Sequence, residues 1–194
     1  MSKIEWTEKT WNPIVGCEVT SPGCKNCYAM KMAHRIQNMQ PNSHYQGTTK
    51  VVNNKSVWTG VIKSAPVSIW QQPLKRRKPT MYFVNSMGDL FHSNVPDELI
   101  DFAFGIMAVA KHHTFQILTK HAERMHSYMT TYRRELHIQH ELQRKAERLP
   151  PPYNYECSGE HARHAAMMQV DVLPWPLPNV WLGISAENKY WLDR

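Results

Sequence analysis

TMYFVNSM, residues 80–87, is the stretch that decides the fold. β-branched and aromatic side chains dominate it and it runs into Gly88-Asp89, which is the composition of a buried strand that ends in a turn. A helix is expected next. Pro96 stands at a first helical position, Asp97 and Glu98 fill the first turn, and Leu99, Ile100, Phe102, Ala103, Ile106, Met107 and Ala110 carry an apolar series to about Lys111. TFQILTK, residues 114–120, reads as a second strand, and NVWLGISAE, residues 179–187, as a third. Strands separated by helical segments are the pattern of βαβ units and a parallel sheet, where ligands collect at the carboxyl ends of the strands. Those ends carry Ser86, Gly88, Asp89, Lys120, Ser185 and Glu187.

On the amino side, TWNPIVG, residues 10–16, leads into a cysteine cluster with a Pro22-Gly23 turn inside it. After Cys27, the run YAMKMAHRIQNM places Tyr28, Met32, Ile36 and Met39 at helical spacing, so the loop should feed directly into a helix. Pro41 to Lys78, rich in Asn, Gln, Gly and Pro, reads as irregular structure with two short strands near Val51 and Val61. His121 to Leu149 is charged and lacks Gly and Pro, which suits one long helix or a helical pair that Pro150 stops. Residues 153–178 read as a connection with a short helix at 160–169.

With 194 residues, 42% of them hydrophobic and 20% charged, the chain suits one globular domain and excludes a disordered or fibrous class. No stretch reaches the roughly 18 apolar residues of a membrane span, and MSKIEWTEKTWNP lacks the basic-then-apolar order of a secretory signal. A cytoplasmic chain with no membrane partner is therefore expected. The net charge is +7, the isoelectric point is near 9.3, and Lys75-Arg76-Arg77-Lys78 is the densest basic run. Such a run suits a phosphate-bearing partner such as nucleic acid, although a solvated turn is its commoner meaning.

Cys17, Cys24 and Cys27 follow the spacing C-x6-C-x2-C. Without an export signal a disulfide framework is not expected, and soft thiolates in one loop suit an iron–sulfur cluster or zinc. Structural zinc is usually closed by four ligands, whereas the fourth cysteine, Cys157, lies far along the chain. Three local ligands leave a coordination position for a small molecule. A zinc knuckle completed by Cys157 or a nearby histidine is the alternative. Cys157, His161 and His164 could also form a second metal site, or simply lie at the surface. No Gly-rich phosphate loop and no G-x-S-x-G elbow occur.

Four stretches, WTEKTWNPIVGCEVTSPGCKNCYA (residues 6–29), MYFVNSMGDLFHSNVPDELID, FQILTK and PNVWLGISAEN, resemble the radical S-adenosylmethionine superfamily. The likeness is nearer to a phage- and prophage-associated radical-SAM-like family of unsettled function, and more distant to the group that includes spore photoproduct lyase, a DNA-repair enzyme. The resemblance implies an α/β fold, a partial (β/α) barrel forming a single domain over residues 1–194, cut short after about four strands. An open barrel edge of that kind could support an oligomer.

The resemblance further implies that Cys17, Cys24 and Cys27 hold a 4Fe–4S cluster whose open iron chelates S-adenosylmethionine, with a reductant protein supplying the electron and nucleic acid or a nucleotide as substrate. Ser86, Gly88 and Asp89 occupy the place of the superfamily's Gly-Gly-Glu motif, which makes Asp89 the candidate acceptor for the methionine amino group. Lys120 would neutralise the methionine carboxylate, and Ser185 and Glu187 match positions that contact the ribose. The family's first spacing is x3, here x6. An aromatic residue often precedes the third cysteine, but here it is Asn26, which leaves Tyr28 as the adjacent ring. A non-catalytic zinc- or cluster-binding phage accessory protein and a degenerate truncated relative are the rival readings.

Overall fold

Alternation along the strands divides a four-stranded parallel sheet into a packed face and an open one. A computed structural model describes residues 6–131, 134, 138 and 174–185. In chain order its elements are β1 (Lys9–Trp11), β2 (Ile14–Val15), a 3₁₀ turn (Pro22–Asn26), α1 (Tyr28–Met39), β3 (Thr49–Val52), β4 (Lys55–Trp58) and β5 (Lys63–Ser64). There follow α2 (Val67–Trp70), α3 (Gln72–Lys75), β6 (Met81–Val84), α4 (Asp97–Val109), β7 (Thr114–Thr119), α5 (Ala122–Thr130) and β8 (Val180–Ile184).

The parallel sheet has the order β1-β6-β7-β8. Its register sets Trp11 beside Val84, Val84 beside Ile117 and Ile117 beside Leu182, and the preceding row aligns Tyr82, Phe115 and Val180. Because side chains alternate with a period of two, these rows share one face. Trp11, Tyr82, Val84, Phe115 and Ile117 are buried there against Ile100, Phe104, Ile106 and Met107 of α4 and Tyr128 of α5. Each full burial of such a side chain contributes about 1.5–3 kcal/mol. The row on the other face, Thr10, Phe83, Gln116 and Trp181, is only partly covered, and Trp181 remains 54% exposed.

α4 is buried nearly all round, and Asp101 within it is partnered at Oδ1: Tyr128 Oη donates to it at 2.8 Å and Arg134 at 3.2 Å. Those bonds offset the cost of placing a carboxylate in an apolar helix.

The helix at Tyr28 has the expected bounds, and the expected strands and the helix at Asp97 are present with shorter ones. β6 ends at Val84, before the expected Met87, because Asn85 takes φ +55. Its amide donates to Trp11 O and its Oδ1 accepts from the Ile14 amide, which turns the chain across the end of β1. β1 is a fourth parallel strand that composition did not reveal, since three residues carry no period. Between Pro41 and Lys78, β3 and β4 form a hairpin whose turn residues Asn53 and Asn54 both lie at positive φ, as a two-residue type I′ turn requires. β5 pairs antiparallel with β2. α5 ends at Thr130 and Thr131 is extended, so the helical pattern from His121 is not one continuous helix. The helix expected at 160–169 lies outside the described residues.

Candidate metal centre at the carboxyl end of the sheet

Two glycines bring the cysteine loop onto the sheet. Gly16 and Gly88 form a parallel bridge, and the Gly16 amide donates to Met87 O at 3.1 Å. A Cβ on Gly88 would stand 2.9 Å from Gly16 O and 3.1 Å from Ile14 O. A Cβ on Gly16, at φ +98, would stand 2.1 Å from Val61 O. Only the bare backbone permits this approach, and it sets Cys17 directly past the end of β6. Asn12, which follows β1, locks the other side of the contact: its Oδ1 accepts from Ser86 Oγ at 3.1 Å and from the Met87 amide at 3.2 Å.

From Cys17, whose carbonyl accepts from the Gly60 amide, the chain runs to the 3₁₀ turn. Within that turn the Cys24 amide bonds Ser21 O at 3.0 Å, and the Cys27 amide bonds Cys24 O at 3.2 Å. Cys27 then caps α1 with extended backbone. The spacing C-x6-C-x2-C thus becomes one loop that places three thiols between the end of β6 and the start of α1.

All three thiols are free. Burial opposes ionisation of Cys24, but hydrogen bonds from the Ser21 side chain and from the Thr20 and Ser21 backbone, with the Lys120 ammonium, outweigh it and hold the thiol at about 7. Lys120 Nζ stands 3.4 Å from Cys24 Sγ and 2.8 Å from Ser21 Oγ. Cys17 is the opposite case: burial, then the charge of Asp89 and of the other two sulfurs, pushes it up to about 12. The loop therefore offers one ready thiolate and one thiol that only a bound cation would deprotonate.

Among the described residues, Glu18, His92 and His121 form a group whose ligand atoms all lie within 4.8 Å of one another. Three soft thiols in one loop are donors that suit either zinc or an iron–sulfur cluster.

The strand ends supply the surround. Asp89 is buried, and its Oδ1 accepts from Thr119 Oγ1 at 2.7 Å and from the Phe91 amide at 3.0 Å. Its Oδ2 accepts from the Lys120 amide at 3.0 Å, so the carboxylate clamps the loop after β6 to the end of β7. Tyr28 donates through Oη to Ser86 O at 3.1 Å, and the residue is 55% exposed. Asn26 is exposed in the 3₁₀ turn. The Ser185 amide continues the β7–β8 ladder with a bond to Thr119 O at 2.9 Å. Glu187, Cys157, His161 and His164 lie outside the described residues. Sequence reading missed Asn12, Ser21 and Thr119. The hydroxyls within the six-residue insert, Thr20 and Ser21, were the visible signal for the second of these.

Over residues 1–194 the chain matches the family described as Protein of unknown function (DUF5131). It belongs to that family. No curated protein and no solved structure matches it.

In this DUF5131 chain, Glu18, His92 and His121 border the cysteine loop. Burial lowers the pKa of His92 below the usual histidine value. Its Nδ1 accepts from the Asn94 amide at 3.0 Å, so the neutral ring carries its proton on Nε2, which faces Glu18 Oε1 at 3.7 Å. At that distance there is no hydrogen bond, and the buried Nε2 atoms of His92 and His121 both lack a hydrogen-bond partner, so with Glu18 they form a group that could hold a metal ion beside the thiols.

Proposed function

We propose that Cys17, Cys24 and Cys27 hold a 4Fe–4S cluster with one iron open to S-adenosylmethionine, and that the chain is a radical S-adenosylmethionine enzyme on a partial (β/α) barrel. The observation that carries this reading is the convergence of three free thiols from one loop on the carboxyl edge of a parallel sheet, beside the ends of β6 and β7. An open iron is the coordination state in which a metal centre does chemistry on a small molecule. The sheet supports the barrel reading too: α4 and α5 both pack on one face, whereas an open doubly wound sheet carries helices on both. β8 has no further neighbour among the described residues, and its edge can take another strand or a second copy.

A cluster held by Cys17, Cys24 and Cys27 would supply the one-electron reduction, drawn from a reductant protein, that cleaves the sulfonium C–S bond of S-adenosylmethionine to methionine and a 5′-deoxyadenosyl radical. The chain's own residues bind and orient. Lys120 brings a positive charge to the sulfurs, where it offsets thiolate charge and can pair with a carboxylate. Asp89 uses three of its roughly four acceptor positions within the protein, which leaves room for one donor from an ammonium group. The ring of the exposed Tyr28 is a flat face for adenine, with Asn26 beside it and Ser86 holding its hydroxyl. Ser185, and Glu187 beyond it, are the ribose candidates. A net charge of +7 favours nucleic acid or a nucleotide as the substrate.

Anaerobic reconstitution tests the reading. The expected product is a brown protein with about four irons per chain, whose spectrum changes on adding S-adenosylmethionine and which releases 5′-deoxyadenosine when reduced. One tightly bound zinc, no iron chromophore and no 5′-deoxyadenosine would overturn it in favour of a zinc-binding accessory module.

A further inference from the structure

The amino end of the same sheet carries a second feature that the cysteine chemistry does not use. Lys9, at the start of β1, Lys75, at the end of α3, and Arg76, Arg77 and Lys78, between α3 and β6, line a groove of about 810 Å³ together with Thr10 and Tyr82. No acidic residue lines it among the described residues. Arg76 is fixed in place, since its Nε donates to Thr80 Oγ1 and its carbonyl is bonded by His112 at 2.9 Å. Lys9, Lys75, Arg77 and Lys78 are exposed. Folding thus turns a basic run that could have been a solvated turn into one wall of a concave site, and adds Lys9 from another strand.

We infer that this groove binds the phosphate backbone of a nucleic acid. The lining offers cations and hydrogen-bond donors, while its one aromatic residue, Tyr82, is buried in the core and unavailable for stacking on a base. Such a site positions a backbone without reading sequence. A small-molecule pocket would have a mainly apolar lining, which is missing here. A membrane-surface site would pair its cations with exposed apolar residues, and none of the exposed large hydrophobic side chains lines the groove. The inference stands apart from the cysteine loop. The groove opens at the opposite end of β6, four residues at about 3.3 Å each, so a strand held there would have its register set away from the thiols.

The test is fluorescence anisotropy of the full chain with labelled single- and double-stranded DNA across a salt series. Lys75→Ser, Arg77→Ser and Lys78→Ser are combined in one groove variant. Lys31→Ser, Arg35→Ser and Lys50→Ser, exposed residues of α1 and β3, form a control of the same charge. The groove variant should bind about tenfold or more weakly at low salt, with a log–log salt slope shallower by about 3, while the control stays near the parent. Circular dichroism checks that both variants fold. Equal losses in both variants, or none in either, would overturn the inference. So would loss of binding to anionic phosphatidylserine vesicles or to inorganic phosphate with DNA binding unchanged. A Cys17→Ser, Cys24→Ser, Cys27→Ser chain should bind DNA like the parent, so failure of the cluster reading and failure of this one give different results.

Discussion

At the carboxyl end of the sheet almost every charge is engaged: Asp89 holds three donors, and Lys120 lies between Ser21 and Cys24. At the amino end, four of five cations are exposed around a groove that no acidic residue lines among the described residues, with Glu8 close enough to act on Tyr82. The first arrangement gives a carboxylate and an ammonium near the sheet end their partners, because a buried charge without partners is costly. The second leaves its positive potential unspent and available to an outside anion. One sheet thus has an end where Asp89 and Lys120 are held by the protein itself and an end where cations stay exposed.

That contrast can be broken most severely at the sulfurs. Replacing Cys24 by Ser should reduce iron after anaerobic reconstitution from about four per chain to near none, while DNA affinity at the opposite end stays at the parent value. Iron retained at the parent level in that variant would separate the loop from the metal centre.

Next in size is the packing that sets the loop against β6. Gly16→Ala combines a positive φ with a backbone oxygen 2.1 Å from the new methyl. It should cost about 3 kcal/mol or more of unfolding free energy in a denaturant titration. Gly88→Ala, at negative φ but against Gly16 O and Ile14 O, should cost less, about 1–3 kcal/mol. The reverse order would mean that the loop yields where the geometry says it cannot.

Asp89→Asn sharpens the idea of a committed carboxylate. One amide oxygen can keep Thr119 and the Phe91 amide, but the NH₂ that replaces Oδ2 faces the Lys120 amide, donor to donor. A loss of about 1–3 kcal/mol is expected, together with a lowered Cys17 pKa, since the Asp89 charge is one cause of its rise. An unchanged stability would free Asp89 for a purely ligand-facing role.

The smallest effect is electrostatic. In the metal-free chain Cys24 ionises at about 7, against 9.0 for an ordinary thiol, so it is a thiol below that pH and a thiolate above it. Lys120→Met removes one stabilising charge, and the first step of an ultraviolet thiolate titration should shift to higher pH while the Cys17 step near 12 stays high. A first step that does not move would assign the lowered value to the Ser21 and backbone bonds alone.

Much of this was legible in the residues. The strands at Met81 and Thr114 and the helix at Asp97 declare themselves through composition and period, and the helix after Cys27 through its spacing. The three cysteines stand out as candidate ligands because three soft donors fall within eleven residues. β1 was not legible. It is three residues long, and its strand character comes from Tyr82, Phe83 and Val84 beside it. Asn85 was absorbed into the expected strand because a left-handed φ leaves no mark on hydrophobic pattern.

The sequence by itself determined which groups are present: three thiols in one loop, a basic run after α3, and alternating apolar rows that must find a core. Only the tertiary structure decided what those groups meet. Lys120 reaches Cys24 across 96 residues of chain, Asp89 finds Thr119 across 30, and Lys9 joins the basic run from a separate strand. Local pattern is set by backbone propensity and the period of burial, which neighbouring residues carry. The pairing of strand ends depends on sheet order and on Gly16 and Gly88 passing within backbone contact, and no periodicity along the chain encodes either.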